Sequence, residues 1–277
     1  MNNLKFSVSV CVYDGDNPEH FDTALESIFN QTLMPNEVVL FVDGAIGRQT
    51  AEVIDKYKKK YDCFKVIESP ENIGHGNARR ECMKNCSHEL IALMDADDIC
   101  VKDRFEKQIK AFEKDADLSI VGGQIKEFIG EKSNVVGKRT VPITDNEIKQ
   151  YIKKRCPMNQ VTVMFKKSDI NGVGGYIDWY CEEDYYLWIR MALSGLKFCN
   201  LPDNLVFVRV GNEMYQRRGG WKYFLSEAKL QEYMCKNEII GTGRYVINVG
   251  ERFILQVLMP NRLRGWIFRK LAREKAE

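Results

Sequence analysis

Four short apolar runs separated by three segments of helical spacing fill the first 98 residues, and that alternation constrains the fold more than anything else in the chain. Phe6 to Tyr13 is rich in valine and aromatic residues, as a strand would be. Asn17-Pro18 then supplies a helix cap and a first-turn proline. Phe21, Ala24, Leu25, Ile28 and Phe29 follow at i, i+3, i+4, i+7 and i+8, one face of a helix. Glu37 to Val42 reads as a second strand ending at Asp43-Gly44, residues 48–60 as a polar helix, and Phe64 to Glu68 as a third strand. A loop from Ser69 to Gly76 and a helix to about Cys86 lead to the fourth run, Ile91-Ala92-Leu93-Met94. The order β-α-β-α-β-α-β predicts an α/β protein with a parallel sheet and helices on both faces.

Beyond Asp98 the texture changes. A helix is expected over 103–114 (Phe105, Ile109, Phe112), strands at 118–129 and 134–141, a helix near 144–154, and a strand from Val161 to Phe165. A glycine-rich loop, Asn171 to Tyr176, precedes a helix from Glu183 to Ser194 that Gly195 stops. Leu196 to Val210 reads as one or two strands, and only helices follow Gly219.

The fourth run ends in Asp95-Ala96-Asp97-Asp98. A strand that ends in acids sets them at the carboxyl edge of a sheet, where open α/β folds bind ligands. Carboxylates crowded there repel one another unless a cation lies among them, and hard oxygen ligands favour Mg²⁺ or Mn²⁺. The commonest use of such an ion is to grip a diphosphate; the plainer alternative is an acidic turn capping the next helix. No glycine-rich dinucleotide fingerprint follows the first strand, where Asp14-Gly15-Asp16 stands instead, and there is no phosphate loop of the G-x-x-x-x-G-K type. A bound diphosphate must then be held by metal and basic side chains, for which Arg79 or Arg80 in Asn72-Ile73-Gly74-His75-Gly76-Asn77-Ala78-Arg79-Arg80 are candidates. Asp43 could accept a hydrogen bond from a nucleobase. Glu183 and Asp184 open an amphipathic helix, where the helix dipole favours carboxylates, or where one of them acts as a general base.

A net charge of +2 gives no argument for nucleic acid. Nine cysteines without a C-x-x-C pair, and three histidines (His20, His75, His88) at no zinc spacing from Cys82 and Cys86, point to a reducing cytoplasm. There is no signal-peptide core and no run of about 18 apolar residues.

The ordered set of motifs resembles the family 2 glycosyltransferases, and among them the bacterial surface-polysaccharide enzymes of the amylovoran-biosynthesis type. It comprises Val8 to Tyr13, the helix ending Ser27 to Thr32, Glu37 to Asp43, Asn72-Ile73-Gly74 before Ala78-Arg79, Asp95-Ala96-Asp97-Asp98, and Glu183-Asp184-Tyr185. The resemblance implies a GT-A fold over residues 1–218, a helical extension over 219–277, and inverting transfer of one hexose, galactose or glucose first. The donor would be a UDP-sugar and the acceptor a polyprenyl-pyrophosphate-linked sugar, at the cytoplasmic face of the inner membrane. It also implies that Val12, Tyr13 and Asp43 hold uracil, Asp95 the ribose, and Asp97 the Mn²⁺ or Mg²⁺, with Arg79 near the nucleotide. Asp184 would be the base, with Glu183 its rival. The histidine many relatives carry after the last core strand is absent from Val210-Gly211-Asn212-Glu213-Met214, so Arg217 and Arg218 are taken as its substitutes. Gln-x-x-Arg-Trp, the processive signature, is also missing, which favours one sugar per encounter. The competing readings are a nucleotidyltransferase, which would need a basic glycine-rich loop after the first strand, and a non-catalytic binding module, which would not need Glu183-Asp184.

Residues 261–277 carry six basic groups against Glu274 and Glu277, with Leu263, Trp266, Ile267 and Leu271 on one helical face. Such a helix suits an anionic membrane surface, or else a packing contact with the catalytic domain or a second subunit.

Overall fold

The structure, a computed structural model, describes residues 4–177, 179–211 and 219–260. Strands β1 (Phe6–Val12), β2 (Glu37–Asp43), β3 (Phe64–Ser69) and β4 (Leu90–Met94) pair in the order β3-β2-β1-β4, all parallel. Every residue of β2 and β4 is buried, as expected of strands covered on both faces. Between them run α1 (Pro18–Phe29), α2 (Arg48–Lys60) and α3 (His75–Asn85). Asn17 caps α1 by accepting from the Glu19 and His20 N–H groups (2.9 and 3.1 Å), and the five expected residues form its buried face. Alternation sorts the strands' side chains into two cores. Val8, Val10, Val38 and Leu40 pack with α1 and α2, while Val39, Phe41, Ile91 and Leu93 pack with α3.

The chain continues through β5 (Ile99–Cys100), α4 (Arg104–Lys114), β6 (Leu118–Phe128), β7 (Val135–Arg139), α5 (Asp145–Tyr151), β8 (Met164–Lys166), α6 (Lys167–Gly172), α7 (Glu183–Leu193) and β9 (Lys197–Arg209). Here the sheet becomes mixed. β8 lies antiparallel between β4 and β6, β9 runs parallel to β6, and β5 and β7 pair antiparallel with β9 and β6. The expected Val161 to Phe165 strand is shortened because Gln160–Thr162 winds into a 3₁₀ turn, where the Thr162 hydroxyl donates to the Asn159 carbonyl (2.7 Å). Helices α8 (Trp221–Lys236) and α9 (Thr242–Phe253) and a π-helical turn (Ile254–Leu258) complete the described chain. Leu230 and Met234 of α8 share a buried cluster with Leu187 and Trp188 of α7. Arg217, Arg218 and the amphipathic segment 261–277 lie outside the described residues.

One buried polar plug holds the end of β4. Arg104 is fully buried; its Nη2 donates to the Leu93 carbonyl (2.8 Å) and its Nε to Gln108 Oε1 (3.1 Å). Gln108 Nε2 donates in turn to the Val121 and Thr162 carbonyls (2.7 and 2.8 Å), tying β4, β6 and the 3₁₀ turn together two residues before Asp95. Arg104→Ala removes this packing and orphans a buried carbonyl, so it should cost about 3 kcal/mol of unfolding free energy. A urea denaturation midpoint equal to that of the unaltered protein would contradict the plug.

Candidate active site

The carboxyl ends of β1, β2 and β4 open into a cleft of ≈ 740 Å³. Val12, Tyr13, Asp43, Arg79, Asp95, Asp97 and Glu183 all line it. Seven residues singled out from the sequence thus converge on one site. Asp184 does not line it. It faces an adjoining cavity of ≈ 450 Å³ that shares Cys181 and Glu183 with the cleft.

Asp43 is buried, and its Oδ1 accepts the Ile73 N–H (2.7 Å), which leaves Oδ2 as the atom for a ligand. This contact fixes the 72–74 loop against β2. Gly44, at φ +88°, is required there, because a Cβ would stand 2.8 Å from the Asn72 backbone nitrogen. The loop delivers α3, and the second turn of α3 delivers Arg79. Arg79 is 3% exposed and is no solvated surface charge, whereas Arg80 is exposed. Arg79 Nη2 donates to Asp95 Oδ1 (2.8 Å) and meets His75 Nε2 (2.9 Å), while Nε and Nη1 are buried without a partner among the described residues.

The charges are set by this pair. Burial alone would raise the Asp95 pKa, but Arg79 and then His75 hold it below the usual carboxylate range. Arg79 and burial push His75 down to about 4, so its imidazole is neutral and can accept from the guanidinium. Asp97 moves the other way, to about 6, through burial and the nearby Asp95 and Asp16. Asp16 is also raised to about 6, chiefly by burial, although the Tyr13 N–H donates to it at 3.0 Å. Asp98, third of the acids, is buried away from the cleft, raised well above its usual value by burial and then Asp97 and Asp95, and takes the Arg209 N–H (2.8 Å).

These carboxylates fit a divalent ion. Asp95 is engaged by Arg79, so Asp97 is the acid with oxygen to give, with Asp16 lining the same cleft. No three His, Cys, Asp or Glu side chains among the described residues converge closely enough to hold an ion alone. One or two carboxylates plus the phosphates of a ligand are a common set for Mg²⁺.

At the start of α7, Glu182 occupies the N-cap without making a capping hydrogen bond, and Glu183 and Asp184 lie in the first turn, where the helix dipole favours carboxylates. Glu182 instead accepts from the Tyr223 hydroxyl (2.7 Å). Asp184 accepts from the Tyr185 N–H (2.7 Å) and from Cys156 Sγ (3.8 Å). The sequence reading overlooked Asp16, His75 and the Trp179-Tyr180-Cys181 wall of the cleft. Asp16 was accessible to the same argument as Asp95, since it too follows the carboxyl end of a strand.

Residues 7–170 match the profile described as Glycosyl transferase family 2, and the chain belongs to that family. It is 35% identical over 97% of its length, and 97% of the relative's, to an Escherichia coli protein named UDP-Gal:alpha-D-GlcNAc-diphosphoundecaprenol beta-1,3-galactosyltransferase. It is 33% identical over 86% of its length, and 88% of the relative's, to the amylovoran biosynthesis glycosyltransferase AmsE of Erwinia amylovora. Among solved structures it resembles the Pyrobaculum calidifontis mannosyltransferase PcManGT bound to GDP-Man and Mn²⁺, with a TM-score of 0.62, 16% identity, and coverage of 94% and 71% of the two chains. The protein is a glycosyltransferase with a GT-A-like fold.

A cation held by Asp97 and Asp16 would compete with the protons that these carboxylates carry below about pH 6. Calorimetric affinity for Mn²⁺ in the presence of UDP should therefore be level above about pH 7 and fall as the pH drops through about 6. An affinity unchanged down to pH 5 would contradict a role for these two carboxylates in holding an ion.

Proposed function

We propose that the protein transfers one hexose, galactose or glucose first, from a UDP-sugar to a polyprenyl-diphosphate-linked sugar during bacterial surface-polysaccharide synthesis, with inversion at the anomeric carbon. The observation that carries this reading is the convergence of Asp43, Arg79, Asp95, Asp97 and Glu183 on one cleft. The name of the E. coli relative, which pairs a UDP-galactose donor with a diphosphoundecaprenol acceptor, supports the choice of substrates.

Uracil lies against Val12 and Tyr13 with an N–H toward Asp43 Oδ2, and Asp95 accepts from the ribose. Asp97, with Asp16 beside it, holds Mn²⁺ or Mg²⁺. When bound, the ion neutralises charge developing on the UDP leaving group. Asp184 takes the proton of the acceptor hydroxyl as its oxygen bonds to the anomeric carbon. The bond from that carbon to the diphosphate breaks, and its electron pair leaves with UDP. Glu183, on the wall between the two cavities, positions the donor sugar.

The acceptor's lipid lies in a membrane. Residues 261–277, basic and amphipathic in sequence, are the segment we assign to that surface, and sedimentation with anionic vesicles reads the contact directly. No helix of the described residues is long and apolar enough to cross a membrane.

Asp184→Asn keeps the size and most hydrogen bonding of the side chain but cannot take a proton. Acceptor-dependent UDP release should fall by about 10²–10⁴-fold while UDP affinity holds. Asp97→Ala should be inactive even in excess Mn²⁺. Full activity of Asp97→Ala would sink the ion assignment, and a dead Glu183→Gln beside a normal Asp184→Asn would exchange the roles of the two acids.

A further inference from the structure

Next to the nucleotide cleft lies a second cavity whose walls combine three features that no nucleotide contact requires. The first is a carboxylate wall, Glu183 and Asp184, shared in part with the cleft. The second is cationic. Arg139, Lys154 and Arg155 line the cavity, and chain continuity sets Lys154 and Arg155 immediately before Cys156, whose sulfur touches Asp184 at 3.8 Å. Arg139 Nη2 donates to the Cys156 carbonyl (2.8 Å), drawing the third cation to the same place.

Two of these cations lack a side-chain partner among the described residues. Neither the Lys154 ammonium nor the Arg155 guanidinium has a hydrogen bond or ion pair among the described residues, although Arg155 is half-buried. Among the described residues, other charges on the lining are paired, apart from Glu251, which adds a further carboxylate. Arg252 pairs with Glu227 (3.1 Å), and Glu182 receives the Tyr223 hydroxyl. Arg155 is the half-buried one, and an anion would offset the cost of holding its charge there; Lys154 is exposed and adds a second positive charge beside it.

The third feature is apolar and leads outward. Tyr223 and Leu255 line the cavity, and the same two elements carry Trp221, Leu225, Ile254 and Leu258 on their outer surface, each at least half exposed. Trp221 also packs against Phe224 and Phe253 (ring centroids 5.4 and 6.2 Å apart), so the patch is continuous from α8 to the end of α9. A contiguous exposed patch of this kind marks an interaction surface.

Carboxylates, cations and an apolar flank on one cavity match, group for group, the hydroxyl, diphosphate and alkyl chain of a sugar diphosphate ester of a lipid. We propose that this second cavity is the acceptor subsite: the sugar hydroxyl meets Asp184, Lys154 and Arg155 grip the lipid-linked diphosphate, and the alkyl chain leaves over Trp221 and Leu258. The inference rests on the transfer function proposed above and gives its acceptor a place. Guanidinium and ammonium groups match phosphate oxygens by charge-assisted hydrogen bonds, the Arg155 fork bidentately.

The test separates this subsite from the transfer reading. Undecyl diphosphate is titrated calorimetrically into the protein saturated with UDP and Mn²⁺, so that the nucleotide's own diphosphate site is filled. Arg155→Ala and Lys154→Ala should each weaken its binding by about 10–100-fold, with Arg155→Lys recovering part of the loss. UDP affinity should not change. In turnover, the same variants should raise KM for a GlcNAc-diphosphate-alkyl acceptor without a matching penalty on the uncharged GlcNAc-O-alkyl acceptor. Unaltered binding of undecyl diphosphate in both variants overturns the subsite, as does an equal loss on charged and uncharged acceptors. A protein that binds undecyl diphosphate through Arg155 yet releases no UDP with any acceptor would keep the subsite and refute the transfer.

Discussion

The ion pair between Arg79 and Asp95 organises the rest of the site. Its guanidinium is buried at a cost that only a close carboxylate offsets, and it sets the charge of Asp95 and His75 directly. Asp95 is kept ionised, His75 is kept neutral, and the remaining negative charge falls on Asp97 and Asp16. One acid of the Asp95-Ala96-Asp97 triplet is therefore committed to the protein and the other is left short of a cation. Two identical carboxylates become two different functional groups because one of them lies against α3.

Each side of that pair depends on a different part of the fold. Asp95 is placed by β4, whose end is clamped through the Leu93 carbonyl to Arg104. Arg79 is placed by α3, whose entry is fixed by Asp43 holding the Ile73 N–H and by the tight passage at Gly44. Asp43 therefore does two jobs, as a loop anchor through one oxygen and a cleft wall through the other. The parallel half of the sheet supplies these residues, and the mixed half supplies Glu183 and Asp184 on a helix that reaches across the cleft.

Local periodicity made the first half legible. Alternation in β1 to β4 and the i, i+3, i+4 spacing of α1 are properties of neighbouring residues, and the expected elements stand within a residue or two of their places. The antiparallel insertion of β8 was not readable, because its pairing joins Leu90 to Lys166 and no local pattern encodes a partner so distant. The depth of Arg79 was hidden for the same reason, and an Arg-Arg pair in a loop reads as surface until Asp95 is brought to it. The separation of Glu183 from Asp184 was hidden by adjacency. Consecutive helical residues point about 100° apart, so Glu183 borders both the nucleotide cleft and the neighbouring cavity while Asp184 lines only the second. Asp16 stands four residues beyond the end of β1, in a turn that no strand periodicity aims at the cleft.

The most direct test of the account is the affinity for UDP and Mn²⁺ of a folded Arg79→Met variant, measured by calorimetry beside the unaltered protein and Arg79→Lys. If the guanidinium both holds Asp95 and offers its unpartnered Nε and Nη1 donors to the cleft, Arg79→Met should lose UDP affinity by about 10–100-fold, and Arg79→Lys should recover only part of it. UDP binding undiminished in Arg79→Met would contradict the claim that this ion pair organises the nucleotide site.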